Sequence, residues 1–176
     1  MIELQGGHVF RSWSVHDAFR KLHRERERLS AAEAANDLWG QVDAVTNSSI
    51  TAWHMTDLVW LRHQDNVREH LGVECLRGLQ DEVRHQCPEL AICDVIANAA
   101  KHGGRALARD DRPNVETIIR AVPVESNAED ARAELGQAPQ WSLRIEVDGR
   151  RSDPRVALLR VSQYWGEFIQ RHCARR

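Results

Sequence analysis

A polar stripe lies along a predicted helix that covers about residues 89–102. It consists of Asp94, Asn98, Lys101 and His102, which are spaced so that they share one helix face. The stripe ends at the helix C-terminus, where the negative end of the helix dipole stabilises Lys101 and His102 as cations. An imidazole held in this way can exchange protons near neutral pH, so His102 is the first candidate for acid–base chemistry. A solvated helix end with well-placed basic residues would give the same pattern.

His54 and Asp57 form a second polar pair, three residues apart on one helix face. They fall within residues 50–61, which are apolar nearly all round and predict a central, buried helix. Buried polar groups need partners, and the two side chains can satisfy each other or bond to a neighbouring helix. If this helix faces the 89–102 helix, one cluster forms from His54, Asp57, Asn98, Lys101 and His102, with Asp94 as a further supporting residue.

Two other function classes fit these residues. One is a small metal-dependent enzyme in which His54, Asp57 and His102 are three ligands that leave positions open for water. No HExxH or comparable spacing favours it, so we predict no metal ion and no cofactor. The other is a non-enzymatic helical interaction protein whose polar cluster is a structural network. Cys93 lies next to Asp94 on a face predicted to be buried, where thiols are usually inert.

Residues 97–103, with the sequence Ala-Asn-Ala-Ala-Lys-His-Gly, resemble a degenerate form of the R-N-x-x-x-H signature of HEPN domains. These domains are helical bundles of prokaryotic toxins, phage-defence proteins and CRISPR-associated ribonucleases. The position of the family's Arg is Ala97 here. The resemblance implies metal-independent RNA cleavage, usually completed across a dimer, with His102 as the acid–base residue and Asn98 as the orienting residue. Lys101 or an arginine from elsewhere would have to supply the missing cation.

The leading hypothesis is therefore a HEPN-like protein that acts on or around RNA in a toxin, phage-defence or stress context. The candidate catalytic residues are His102, Asn98 and Lys101, and a ribonuclease and an inactive or accessory form both fit the missing Arg. RNA, a protein partner and a second copy of the chain are the expected partners.

A vaguer likeness spans residues 53–57 and 94–102 together with Cys87, Pro88 and Trp165. These residues are similar to those of a group of uncharacterised bacterial helical proteins, and this likeness implies no activity.

The elements that must position these residues are mostly helices. Ser14 and Asp17 form a capping box before a helix over about 15–29, and a second capping box at residues 30–33 predicts the start of another. Gly40 and polar residues 46–49 predict a kink or break before the central helix, and Trp39 is expected in the core. Further helices are predicted over 73–86 and 89–102, separated at Cys87 and Pro88 and ended by glycines 103 and 104.

Alternating residues 115–122 and 142–147 predict an antiparallel pair of strands, with an acidic loop between them and a tight turn at residues 148–149. Asp153 and Pro154 then begin the last helix. The predicted fold is mainly α: a five- or six-helix bundle with a small two-stranded antiparallel insert before the C-terminal helix.

Length and composition agree with a single helical-bundle domain over residues 1–176. The chain has 42% hydrophobic and 28% charged residues and a net charge of −2, which excludes a global basic field for nucleic acid or membranes. Its longest apolar runs are too short to span a bilayer, and its first residues do not resemble a signal peptide. The four cysteines have no zinc-like spacing, so we expect reduced thiols and a cytoplasmic location.

Overall fold

The computed structural model describes residues 13–102, 117–123, 141–147 and 150–173. Within these ranges the chain forms five helices and one antiparallel sheet, so the mainly α fold class is confirmed. The elements are α1 (Val15–Ala34), α2 (Leu38–Leu71), α3 (Leu76–Gln86), α4 (Glu89–His102), β1 (Thr117–Pro123), β2 (Trp141–Val147), β3 (Arg150–Ser152) and α5 (Pro154–His172).

Helix α1 begins as the sequence predicts and ends later. The backbone N–H of Asp17 donates to the Ser14 hydroxyl at 3.1 Å, and the Ser14 N–H donates to the Asp17 carboxylate at 3.0 Å. The Ser14 hydroxyl also donates to the Asp17 carboxylate at 2.6 Å, and this bond, with one from Arg20, holds the pKa of Asp17 well below its usual range. The second capping box is wrong, because Ser30 lies inside α1 and its hydroxyl donates to the carbonyl of Arg26 at 3.3 Å. Asp37 caps the next helix instead.

Helix α2 runs through Gly40 and residues 46–49 without interruption, so the predicted kink or break there is wrong. The hydroxyls of Ser49 and Thr51 donate to backbone carbonyls one turn earlier, at 2.9 and 2.7 Å. This bonding lets hydroxyl side chains remain inside a buried helix. The backbone departs from helical geometry at His63, with φ −136° and ψ 19°, and the helix ends at Gly72 in the left-handed region.

Helix α2 is the centre of the bundle, and each of the other helices packs against it. Every helix contributes a fully buried side chain to the core: Leu22 from α1, Met55 from α2, Leu79 from α3, Leu90 from α4 and Trp165 from α5. Each contributes about 1.5–3 kcal/mol through burial. Trp39 is 76% exposed, which contradicts its expected core position. The buried stripe of this part of α2 runs through residues 41, 44, 45 and 48, and Trp39 lies off it.

The β insert lies between α4 and α5, as predicted. β1 and β2 pair antiparallel with Ile119 opposite Ile145, and the short β3 adds a third strand beside β2. Leu143 and Ile145 of β2 belong to the hydrophobic core. The predicted glycine cap at residues 103–104, the acidic loop after Pro123 and the turn at 148–149 lie outside the described residues.

Both predicted proline boundaries are confirmed. α3 ends before Cys87 and Pro88, and α5 begins at Pro154 with Asp153 as its N-cap. The Asp153 carboxylate accepts from the Arg155 N–H at 2.8 Å. No helix in the described ranges combines the length and apolar character needed to cross a membrane.

Candidate functional site

The α4 stripe is anchored by Asp94, which is only 4% exposed. One carboxylate oxygen accepts from the guanidinium of Arg84 at 2.6 Å, and the other accepts from the amide of Asn98 at 2.5 Å. The same Asn98 amide nitrogen also donates to the Asp94 carbonyl at 2.9 Å. Asn98 is therefore held in one orientation by a buried carboxylate one turn earlier on its own helix.

Arg84 joins three helices. Its guanidinium bonds to Asp81 on its own helix α3 and to Asp94 on α4, and it lies 5.3 Å from the ring centroid of Trp53 on α2. A planar guanidinium suits this position, because it forms forked hydrogen bonds and stacks over an aromatic face at the same time. The Arg84–Asp94–Asn98 contacts are called the buried network below.

Sequence reasoning placed Asp94 and Asn98 on one stripe but missed Arg84 and Trp53. The signal for Arg84 was the short connection at Cys87 and Pro88. It turns the chain between α3 and α4, so Arg84 before the turn and Asp94 after it become neighbours. No local sequence pattern indicates that Trp53 contacts Arg84, because this contact depends on how α2 crosses α3 and α4.

His54 and Asp57 are exposed, so the prediction that they are buried is wrong. Residues 51, 52, 53, 55, 56 and 59 are the buried ones in this part of α2, and residues 54, 57 and 61 fall on the opposite, outward strip. The apolar residue on that strip, Leu61, is 60% exposed. The sequence of this segment is apolar nearly all round because only a few of its residues lie on the exposed strip.

Asp57 connects α2 electrostatically to the end of α4. Partial desolvation raises the pKa of Asp57 above its usual value, and the charges of His54 and Lys101 oppose this rise. The exposed Lys101 of α4 therefore lies within electrostatic reach of an α2 carboxylate. The expectation that the two helices face each other is confirmed by their packing. His54, Asp57 and Lys101 are called the exposed group below.

The site thus has an inner and an outer part on the same helix. Asp94 and Asn98 belong to the buried network, and Lys101 belongs to the exposed group. α4 ends at His102, whose side chain lies outside the described residues. His102 follows Lys101 directly, so its backbone is at the same end of the helix as the exposed group.

No family model, curated protein or solved structure matches the chain. Function is therefore inferred from the site itself. Ala97, at the position of the Arg in the HEPN signature, is 6% exposed and belongs to the hydrophobic core. An arginine there would be buried among apolar side chains at a high desolvation cost. Arg84 is instead the guanidinium that the fold brings to the stripe, through Asp94.

Two other chemistries depend on residues near the stripe. In the described part of the chain, no three His, Cys, Asp or Glu residues are grouped as a metal site. The proposed ligand set of His54, Asp57 and His102 includes a side chain outside that part. Cys93 is buried, as predicted, and burial raises the pKa of its thiol to about 12. A thiol in this state is not a nucleophile at neutral pH.

Proposed function

We propose that this protein acts on RNA through the exposed end of α4, in a toxin, phage-defence or stress context. The observation that carries the proposal is that His54 of α2 and Lys101 of α4 both act electrostatically on Asp57, so that two packed helices supply exposed polar groups around one carboxylate. A lysine cation and an imidazole supplied by two packed helices suit contact with a phosphodiester and its adjacent hydroxyl. The resemblance of residues 97–103 to the HEPN signature supports the same substrate class.

Metal-independent RNA cleavage needs three things. A base takes the proton of the attacking 2′-hydroxyl, a cation stabilises the charge of the phosphorane, and an acid protonates the leaving 5′-oxygen. In this proposal His102 is the acid–base residue and Lys101 is the cation. His54 supplies a second imidazole on the opposite helix, so the base and the acid come from different elements.

The buried network positions this chemistry without taking part in it. Asn98 is one turn before His102 on α4, and its amide is fixed by Asp94, which Arg84 holds in turn. The network therefore ties α4, one turn before His102, to α3 through Arg84 and to Trp53 of α2. A displacement of about 1 Å at such a site can reduce catalysis about a hundredfold.

The test is incubation of a labelled mixed RNA pool with the wild type and with His102→Ala, with and without chelator. We expect cleavage that survives chelation and is lost in the variant. His16→Ala is the control, because His16 is an exposed histidine on α1, away from the end of α4. RNA that is bound but not cleaved would identify an accessory form, and protein that neither binds nor cleaves RNA would refute the proposal. Cleavage abolished by chelator would favour the metal-dependent alternative.

We also infer that the protein acts as a homodimer, which the HEPN resemblance implies. Leu61 is exposed on the same strip of α2 as His54 and Asp57, so an apolar contact point lies next to the exposed group. Analytical ultracentrifugation of Leu61→Glu should show a monomer if a second copy covers this strip. Leu159→Glu is the matched control, because Leu159 is an exposed leucine on α5. A wild-type monomer would contradict this part of the proposal.

The second candidate is a non-enzymatic interaction protein, and the buried network favours it. A carboxylate that is 4% exposed and bonded to both a guanidinium and an amide is typical of a structural ion pair. On this interpretation the exposed group is ordinary helix surface. The RNA experiment separates the two candidates, because only the first requires an effect of His102→Ala.

A further inference from the structure

Helices α2 and α5 end beside each other and bring two histidines together. His70 lies in the last turn of α2 and His172 in the last turn of α5, 102 residues apart in the chain. Their Nδ1 atoms are 3.3 Å apart, and their ring centroids are 5.4 Å apart. His70 is exposed and His172 is partly exposed, so solvent reaches the pair.

The fold holds both rings in place. The His172 ring packs against Phe168 with centroids 4.6 Å apart, and the Asn66 amide donates to the His172 carbonyl at 3.3 Å. On the other side, the departure from helical geometry at His63 redirects the last two turns of α2 before the helix ends at Gly72. The short distance between the histidines is therefore set by tertiary structure rather than by a local turn.

The negative ends of two helix dipoles lie at this pair of histidines. Each helix C-terminus carries about half a negative elementary charge, and two of them converge here. The nearby cations are paired with carboxylates: Arg171 contacts Glu167 at 2.7 Å, and Arg68 contacts Asp65 at 3.5 Å.

The distance between the Nδ1 atoms matches a chelate. Two nitrogens, each about 2.0–2.1 Å from a tetrahedral ion, are about 3.3–3.4 Å apart, whereas a square-planar ion would bring them to about 2.8–3.0 Å. We propose that His70 and His172 are a two-histidine site for a divalent ion with tetrahedral preference, of the zinc or cobalt class. No third His, Cys, Asp or Glu of the described residues completes the set, so water or an external ligand fills the remaining positions.

A bound ion would fasten the end of α2 to the end of α5. Because the ion binds the folded arrangement of two distant residues, it stabilises the native state by linkage. The site lies on different helix ends from the exposed group, so it is independent of the proposed action on RNA. A hydrogen bond between the two rings, one N–H donating to the other nitrogen, accounts for the same distance without metal, and the experiment must separate these two states.

The test is thermal unfolding of the metal-free full chain with added zinc chloride, compared with His70→Gln, His172→Gln and the control His85→Gln, an exposed histidine on α3. At zinc a hundredfold above the dissociation constant, we expect Tm to rise by about 5 °C or more in the wild type and the control. Each site variant should lose the rise. Adding Co²⁺ to the same proteins should give the visible absorption of a tetrahedral ion only where both histidines are present.

Thermal unfolding and Co²⁺ absorption each test the site, even if only one of the two site variants can be purified. His70 is exposed, so His70→Gln tests the site even if His172→Gln, beside Phe168, is too unstable to purify. A zinc response that is the same in the wild type and His70→Gln would show binding by scattered histidines and overturn the proposal. So would the absence of a zinc response in the wild type, which would leave a hydrogen-bonded pair. Neither readout involves RNA, so the outcome does not depend on the proposed function.

Discussion

Asp94 and Lys101 lie two turns apart on the same face of α4, yet their surroundings are opposite. Asp94 is nearly inaccessible and is bonded to Arg84 and Asn98, whereas Lys101 is exposed and acts on Asp57 of α2 through its charge. The same stripe therefore changes from a structural network to an accessible polar surface. Residue type and spacing do not distinguish the two parts. Burial and the number of bonded partners do.

The largest expected effect comes from removing the centre of the buried network. Asp94→Ala should lower the free energy of unfolding by about 2–3 kcal/mol, because it leaves the Arg84 guanidinium and the Asn98 amide without their shared carboxylate. This corresponds to a fall in Tm of about 5–10 °C, measurable by calorimetry. The control is Asp81→Ala, which removes an exposed carboxylate from the same guanidinium and should cost less than about 1 kcal/mol. Equal losses in the two variants would contradict the central role of Asp94.

A smaller effect is expected when the guanidinium is replaced and the charge is kept. Arg84→Lys should cost about 1 kcal/mol, because an ammonium cannot form forked bonds to two carboxylates and stack over Trp53 at the same time. Urea denaturation measures this difference. Arg68 provides a matched control: it lies 5.1 Å from the ring centroid of Trp60, but it is exposed. Arg68→Lys should change stability by less than about 0.5 kcal/mol, and a comparable cost there would show that burial is not what matters.

The smallest effect on stability is expected in the exposed group, where the pKa of Asp57 is raised. A carboxylate with a raised folded-state pKa stabilises the fold relative to its unfolded state only while protonated, so stability is lost as pH rises from about 3.8 through the raised value. Asp57→Asn should therefore leave Tm at pH 7 unchanged or slightly higher. It should also remove this part of the pH dependence. Substantial destabilisation of Asp57→Asn at pH 7 would place Asp57 with the buried network instead.

The sequence predicted those parts of the fold that local chemistry decides. The capping box at Ser14, the boundary at Cys87 and Pro88, and the start of α5 at Asp153 depend on a few neighbouring residues, and all are present. Residues 30–33 met the same local criteria, yet α1 continues through them because Leu29 and Ala32 are buried in the bundle. Where two caps compete, packing decides between them.

The part of the site that depends on local helix geometry could also be predicted from the sequence. The 3.6-residue period placed Asp94 and Asn98 on one stripe, and their contact is a property of a single helix. Arg84 was missed because its position depends on the turn between α3 and α4 and on the crossing of α2. The exposure of His54 and Asp57 was also missed. The sequence of an apolar helix does not show which narrow strip of its surface the neighbouring helices leave uncovered.

The most direct test of the account is RNA binding by charge-reversal variants, measured by fluorescence anisotropy with a labelled single-stranded RNA. Lys101→Glu should weaken binding at least about tenfold, because it reverses the charge of the lysine that α4 presents to the phosphate backbone in the proposed site. Arg24→Glu, on the exposed face of α1, should bind almost as the wild type does, with the same Tm in all three proteins. Equal weakening by both substitutions, or no RNA binding by the wild type, would contradict the claim that the exposed end of α4 is where this protein acts.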